Sequence, residues 1–162
     1  YPHTAEILIG RSRIADEPMI AASGGDQNYI DPGNHSDGAV YLNGYWHRDG
    51  DGIVSGGSEG YAALAYHAIQ VVAVMKTSGA PIRVNVDQDG KPVARADAGP
   101  DIAYDAKGQS YVMVSQPRAY ELLDDAFFGH HELRLYPAAY GLALYSFAFE
   151  SCEVPGSAPH AP

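Results

Sequence analysis

The stretch YLNGYWHRDGDGIVSGG (residues 41–57) contains alternating side chains on both sides of an Asp-Gly-Asp-Gly motif. Successive side chains of a β-strand point to opposite faces of the sheet. Before the motif, one face of such a strand would carry Tyr41, Asn43, Tyr45 and His47, and the other Leu42, Gly44, Trp46 and Arg48. Asp and Gly are typical of tight turns, and the apolar pattern resumes at residues 53–55. The stretch therefore predicts a β-hairpin whose turn lies at residues 49–52.

The same motif also resembles the first positions of a calcium-binding loop, with Asp49 and Asp51 as ligands. Such a loop requires a Glu at its twelfth position. Gly60 occupies that position here, and Glu59 precedes it. The hairpin turn is therefore the favoured interpretation. A looser calcium site at Asp49 and Asp51 is the alternative, and no other cofactor or metal is expected.

Turn residues divide the rest of the chain into short apolar or alternating runs, which are typical of strands. These runs cover residues 5–10, 61–67, 69–76, 82–86, 91–94, 111–114, 119–123, 131–136 and 142–149. Residues 87–90, Asp-Gln-Asp-Gly, give the strongest further hairpin signal because Asp-Gly tolerates positive φ. Residues 120–128 also suit a short helix, but a strand followed by a turn is favoured.

This series of strands predicts an all-β fold, a jelly-roll-type β-sandwich of two antiparallel sheets. The run at residues 69–76 is nearly all apolar, so we expect it to be central, either buried on both faces or deep in the sandwich. Pairing of the first and last strands would explain why both are apolar. We expect one domain at residues 1–152 and a Pro-rich flexible tail at residues 153–162.

Composition excludes several classes of function. The chain has 162 residues and a net charge of −10, so nucleic acid and anionic membrane surfaces are poor partners. No apolar run is long enough to span a membrane. Cys152 is the only cysteine, which excludes an internal disulfide, CxxC redox chemistry and a cysteine zinc site within the chain. The common motifs for zinc, serine-nucleophile and phosphate chemistry are missing as well, so no enzymatic activity is expected.

Trp46, the only Trp of the chain, is the main candidate for ligand binding. Sugar-binding sites place flat aromatic rings against the apolar face of a sugar and polar side chains at its hydroxyl groups. The alternative is that Trp46 is a core residue. If Trp46 binds a sugar, Tyr45 and His47 should share a rim with Arg118 or Tyr120. Arg118 could instead buttress a loop through two hydrogen bonds to a carboxylate.

Five motifs follow one another in an order that resembles a known family. They are Gly44-Tyr45-Trp46, Tyr66-His67-Ala68, Asp89-Gly90-Lys91-Pro92, Arg118-Ala119-Tyr120-Glu121-Leu122 and Leu144-Tyr145-Ser146-Phe147-Ala148-Phe149. Over residues 5–150 the chain resembles the C-terminal β-sandwich domain of DipZ-type thioredoxin proteins, which is similar in fold to carbohydrate-binding modules. Ile69 and Gln70 depart from the Arg-Asp pair expected of that family. His67, within the second motif, joins the candidate ligand-binding residues.

The resemblance implies a non-catalytic accessory module of an extracytoplasmic protein, located in the periplasm or cell envelope. The thiol chemistry would belong to an upstream thioredoxin-like domain of the same protein. Carbohydrate or glycan is the ligand that the resemblance implies. The alternative is a structural or protein-docking module, which positions the redox domain and its substrate and binds no small ligand. Because the chain begins at Tyr1, we expect it to be an excised or processed piece.

Overall fold

The computed structural model describes residues 3–10 and 25–151, and the predicted tail at residues 153–162 lies outside these ranges. The described residues form an all-β fold with a short 3₁₀ turn at Arg95–Asp97. None of them forms a helix long and apolar enough to cross a membrane. The strands are β1 (Ile7–Leu8), β2 (Gln27–Tyr29), β3 (Val40–Asp49), β4 (Gly52–Ser55), β5 (Tyr61–Thr77), β6 (Ile82–Gln88), β7 (Lys91–Pro92), β8 (Ala103–Tyr104), β9 (Ser110–Val114), β10 (Arg118–Pro137) and β11 (Leu142–Glu150).

Two long strands, β5 and β10, organise the fold. β5 pairs with β3 near its beginning, with β11 near its end and with β10 along most of its length. β4 joins β3 to β11, so the strands β3, β4, β11 and β5 follow one another around the molecule. β10 also pairs with β6, and β9 and β8 continue that sheet. This antiparallel network covers the core from two sides, which confirms the predicted β-sandwich.

β5 and β10 are longer than the sequence predicted. The runs at residues 61–67 and 69–76 are parts of the single strand β5, and the runs at residues 119–123 and 131–136 both lie in β10. No Gly or Pro separates the two runs of β5, so nothing in its local sequence ends the strand. The fold therefore uses two continuous strands that pass from one group of partners to another.

A bulge interrupts β10 near its middle. Between Asp124 and Gly129 this strand advances by five residues while its partner β5 advances by two. The extra residues place Phe127 outside, with 83% of its surface exposed, and bury Asp125 inside. The strand interpretation of residues 120–128 is confirmed, and the turn expected after it takes the form of this bulge.

Both predicted hairpins form. β3 and β4 pair through Asp49 and Gly52, and Gly50 in the turn has a φ of +59°. β6 and β7 are joined by Asp89 and Gly90, whose φ angles of +55° and +81° are typical of a type I′ turn. The predicted pairing of the first and last strands is also confirmed, because β1 lies antiparallel to β11.

The apolar run at residues 69–76 is central, as predicted, because β10 and β11 flank it. It is not buried on both faces. Val71, Ala73 and Met75 have no exposed surface, whereas the side chains between them are only half-buried. The strand therefore turns one face to the core, where Phe147 of β11 joins the same apolar cluster.

Candidate ligand-binding site

Trp46 is a core residue, which corrects the prediction that its ring contacts a ligand. Only 1% of its surface is exposed, and its Nε1 donates a hydrogen bond to the carbonyl of Asn43 at 3.0 Å. Leu42 and Trp46 share the buried face that the predicted alternation gives β3, whereas Tyr45 is exposed on the opposite face. The indole therefore stabilises the sandwich from within and offers no face to a sugar.

Tyr45 and His47 lie on the surface above this buried ring, together with Tyr140 from the loop before β11. Tyr45 is 58% exposed and Tyr140 is 62% exposed. The ring of His47 stacks on that of Tyr140 with centroids 6.1 Å apart, and its Nδ1 lies 2.7 Å from Oδ1 of Asp26. We call Tyr45, His47 and Tyr140 the aromatic ridge. It brings together two of the predicted ligand-binding residues.

Shallow hollows lie at both ends of the aromatic ridge. One, of about 70 Å³, is bounded by Tyr45 and by the backbone of residues 56–60. The other, of about 270 Å³, lies between residues 77–82 and residues 139–141, which include Tyr140. Backbone hydrogen bonds hold these loops, from Gly56 N to the carbonyl of Tyr45 and from Gly141 N to that of Ser55. The ridge is therefore presented on a fixed surface with room for polar groups at either end.

Arg118 and Tyr120 do not join the ridge. They pair with Met75 and Ala73 in the second half of β5, whereas β3 pairs with residues 61–64 of that strand. Tyr120 is buried, and its hydroxyl donates to the carbonyl of Gln116. His47 is separated from Arg118 along the sheet by β4, β11 and β5, so the structure does not bring the two predicted groups to one rim.

Arg118 has the buttressing role that the sequence allowed. Its guanidinium donates two hydrogen bonds to Asp101, at 2.9 and 3.1 Å, and lies 3.9 Å above the ring of Tyr120. Asp101 also accepts a hydrogen bond from the backbone N–H of Glu121 at 2.7 Å. The hydrogen bonds from Arg118 are the main cause that holds the pKa of Asp101 below its usual value, and the backbone bond from Glu121 contributes to a smaller extent. These contacts fix the loop before β8 to the beginning of β10.

His67 lies in a second polar region, away from the ridge. Its Nδ1 is 2.9 Å from Oδ1 of Asp37, and its ring stacks on that of His130 with centroids 6.4 Å apart. Next to this pair is an open groove of about 320 Å³. We call it the histidine groove; its lining residues are His35, Ala65, Asp89, His130, His131 and Glu132. The sequence indicated His67 alone among these histidines as a candidate for binding.

A buried carboxylate lies behind the histidine groove. Asp125 accepts hydrogen bonds from Gln88 Nε2 at 2.8 Å and from the Tyr66 hydroxyl at 3.2 Å, and Oδ2 lies 3.9 Å from His131 Nε2. Burial raises the pKa of Asp125, and it also raises the pKa of Tyr66. The bulge in β10 is thus anchored by a polar network inside the sandwich.

Asp125→Asn is expected to change the free energy of unfolding, relative to the wild type, more favourably at pH 7 than at pH 4. Because the folded pKa is raised, ionisation of this carboxyl costs stability as the pH rises through the folded value. Asn carries no charge, so that loss disappears from the variant. Urea unfolding of both proteins at the two pH values gives the difference in unfolding free energy. The exposed neighbour Asp124→Asn controls for the loss of one negative charge. A mutant-minus-wild-type difference that does not change with pH would contradict the prediction.

The carboxylates of Asp49 and Asp51 belong to the hairpin turn between β3 and β4. In residues 3–10 and 25–151, no group of three or more His, Cys, Asp or Glu side chains is arranged to hold a metal ion. The turn accounts for the Asp-Gly-Asp-Gly motif, and calcium at Asp49 and Asp51 stays a prediction.

Fold and surface together define a small antiparallel β-sandwich module. Residues 4–149 match the family described as thioredoxin-like C-terminal domain, and the chain belongs to that family. The resemblance to a C-terminal domain of thioredoxin proteins is thereby confirmed at the level of the family. This membership indicates an accessory module.

A solved structure of similar fold is that of a family two carbohydrate esterase from Cellvibrio japonicus. The TM-score is 0.54 at 14% sequence identity, and the match covers 70% of this chain but only 31% of that chain. At this identity the similarity shows the fold alone. No curated protein matches the chain in sequence.

Proposed function

We propose that this chain is the non-catalytic accessory module of a DipZ-type thioredoxin protein and that it binds carbohydrate on the aromatic ridge. The observation that carries the proposal is the exposure of Tyr45 and Tyr140, together with the stacking of Tyr140 on His47, which is paired with Asp26. Aromatic rings cover the apolar face of a sugar, and an imidazole and a carboxylate form hydrogen bonds with its hydroxyl groups.

The rest of the proposal concerns the protein to which the module belongs. Family membership supports an upstream thioredoxin-like domain, which would supply the thiol chemistry that a chain with a single cysteine lacks. The module would then act outside the cytoplasm, in the periplasm or cell envelope, where glycans are available as ligands. Because the chain has a net charge of −10, a neutral glycan is a better ligand than a polyanionic one.

Tyr45→Ala is expected to weaken glycan binding by about tenfold, because an aromatic platform contributes about 1–3 kcal/mol and 1.4 kcal/mol corresponds to a factor of ten. The measurement is calorimetry with the glycan that binds best in an array including cell-wall fragments. Tyr140→Ala should produce a loss of similar size. Phe127→Ala is the matched control, since it removes a ring that is even more exposed but lies outside the ridge.

The outcomes separate the two functions that the sequence left open. Equal binding by the wild type and both tyrosine variants would remove the ridge from the site. If the wild type binds no glycan, the carbohydrate proposal fails and the docking-module alternative takes its place. Far-UV circular dichroism of each variant shows whether a loss of binding reflects a loss of folding.

A further inference from the structure

A further hollow lies on the outer face of the sheet, where β1 and the turn between β3 and β4 flank β11. A bulge in β11 forms its floor, because β11 advances by two residues between Leu144 and Ser146 while β5 advances by one. Leu144 and Phe147 belong to the core cluster, so the two side chains between them, Tyr145 and Ser146, lie together on the outer face. We call this feature, of about 400 Å³, the outer hollow; its lining residues are Leu8, Gly10, Asp51, Tyr145 and Ser146.

Three hydrogen-bonding groups of the outer hollow have no partner in the part of the chain that the structure describes. They are the carboxylate of Asp51 and the hydroxyl groups of Tyr145 and Ser146. The ring of Tyr145 lies against Gly52, where a Cβ would come within 2.8 Å of its Cε1. Leu8, which is 38% exposed, adds apolar surface. The outer hollow therefore combines a fixed ring and an apolar side chain with free donors and acceptors, the combination that suits a sugar.

The outer hollow and the aromatic ridge share one face of the sheet. Residues directly opposite each other on antiparallel strands carry their side chains on the same face. His47 of the ridge pairs with Val54 of β4, and Val54 pairs in turn with Ala143 of β11. Ala143 also pairs with Lys76, whose Nζ lies 5.9 Å from the ring centroid of Tyr145. Because β4 alone separates β3 from β11, two interstrand spacings, roughly 10 Å, separate the ridge from the outer hollow.

We propose that the outer hollow is a second sugar-binding subsite, and that it and the aromatic ridge bind one linear, neutral oligosaccharide. The inference rests on the proposed function, because it takes the ridge as the first subsite. Val54 and Ala143, which lie between the two, have small side chains with only 9% and 5% of their surface exposed, so an extended chain can lie flat across them. The separation requires a chain longer than a single sugar ring. The carboxylate of Asp51 and the net charge of −10 disfavour an anionic chain.

Calorimetry with oligosaccharides of different length tests the second subsite. The probes are the disaccharide and the hexasaccharide of β-linked glucose and those of β-linked N-acetylglucosamine. In the series that binds, the hexasaccharide should bind at least about tenfold more tightly than the disaccharide, because contact with the second subsite becomes intramolecular. Tyr145→Ala should weaken binding of the hexasaccharide by about tenfold, the size expected for the loss of one aromatic platform.

Two further variants separate a loss of the subsite from a loss of folding. Asp51→Ala should also weaken binding of the hexasaccharide by about tenfold, and it changes an exposed turn residue that the fold does not need for packing. Tyr111→Ala is the matched control, since it removes another half-buried tyrosine ring next to a cation, Arg83, in a different part of the sheet. It should bind the hexasaccharide as the wild type does. Far-UV circular dichroism of each variant checks the fold.

The pattern of losses shows which proposal fails. The second subsite is overturned if the disaccharide and the hexasaccharide bind equally well, or if Tyr145→Ala and Asp51→Ala both bind the hexasaccharide normally. A loss confined to Tyr45→Ala would then leave the ridge as the binding site. Normal binding by Tyr45→Ala with weak binding by Tyr145→Ala would instead overturn the ridge and support the outer hollow. If neither series binds to the wild type, both proposals are overturned.

Discussion

Trp46→Ala is expected to lower the free energy of unfolding by about 3–5 kcal/mol, the range for removing a large buried aromatic side chain. The indole is almost completely buried in the core cluster, and it also donates a hydrogen bond to the carbonyl of Asn43. Replacing it leaves a cavity and an unpaired carbonyl. Urea unfolding followed by far-UV circular dichroism measures the loss, because the variant has no Trp left to serve as a fluorescent probe.

A Trp46→Phe variant is the control for this experiment. Phe fills part of the cavity but cannot donate the hydrogen bond, so its loss of stability should be smaller than that of the Ala variant. If Trp46 bound a sugar from the surface, its removal would instead weaken glycan binding and leave stability nearly unchanged. A variant as stable as the wild type would therefore contradict the burial of this ring.

Turn chemistry explains which parts of the fold could be predicted from the sequence. The hairpins at residues 49–52 and 87–90 depend on Asp and Gly at positions that need positive φ, and this requirement is local. The lengths of β5 and β10 depend instead on how distant strands arrange themselves along them. Nothing near residue 68 signals that the strand continues, because pairing with β10 decides it.

The surface was predicted less completely than the fold, for two physical reasons. The alternation of β3 assigns Trp46 to one face and Tyr45 and His47 to the other, but it does not say which face meets the core, so the sequence left a buried Trp46 and an exposed one as alternatives. The histidine groove depends on contacts between His35 and residues of β10 about a hundred positions later. No local sequence pattern predicts such contacts, and the adjacent histidines at residues 130–131 were the only indication of this groove in the sequence.

Gly60→Ala is expected to lower the free energy of unfolding by about 3 kcal/mol, at the upper end of the usual cost of overpacking. A Cβ at this position would lie 2.3 Å from the carbonyl oxygen of Asn43 and 3.2 Å from Nε1 of Trp46. Gly44 approaches the same backbone so closely that its own Cβ would lie 2.8 Å from the Cα of Gly60. Because the obstacle is backbone, a side-chain rotation cannot relieve the clash. Thermal and urea unfolding measure the loss.

Gly57→Ala is the matched control, because a Cβ there meets no atom within 4 Å. Its stability should stay close to that of the wild type. The two variants also test how the ridge is supported, since residues 56–60 form the hollow beside Tyr45. Displacing the loop at Gly60 should weaken glycan binding at temperatures where the variant is still folded, whereas Gly57→Ala should leave Tyr45 in place. Equal stability of the two variants would show that Gly60 and β3 do not pack as closely as the structure has them, and the ridge would then lack the support described for it.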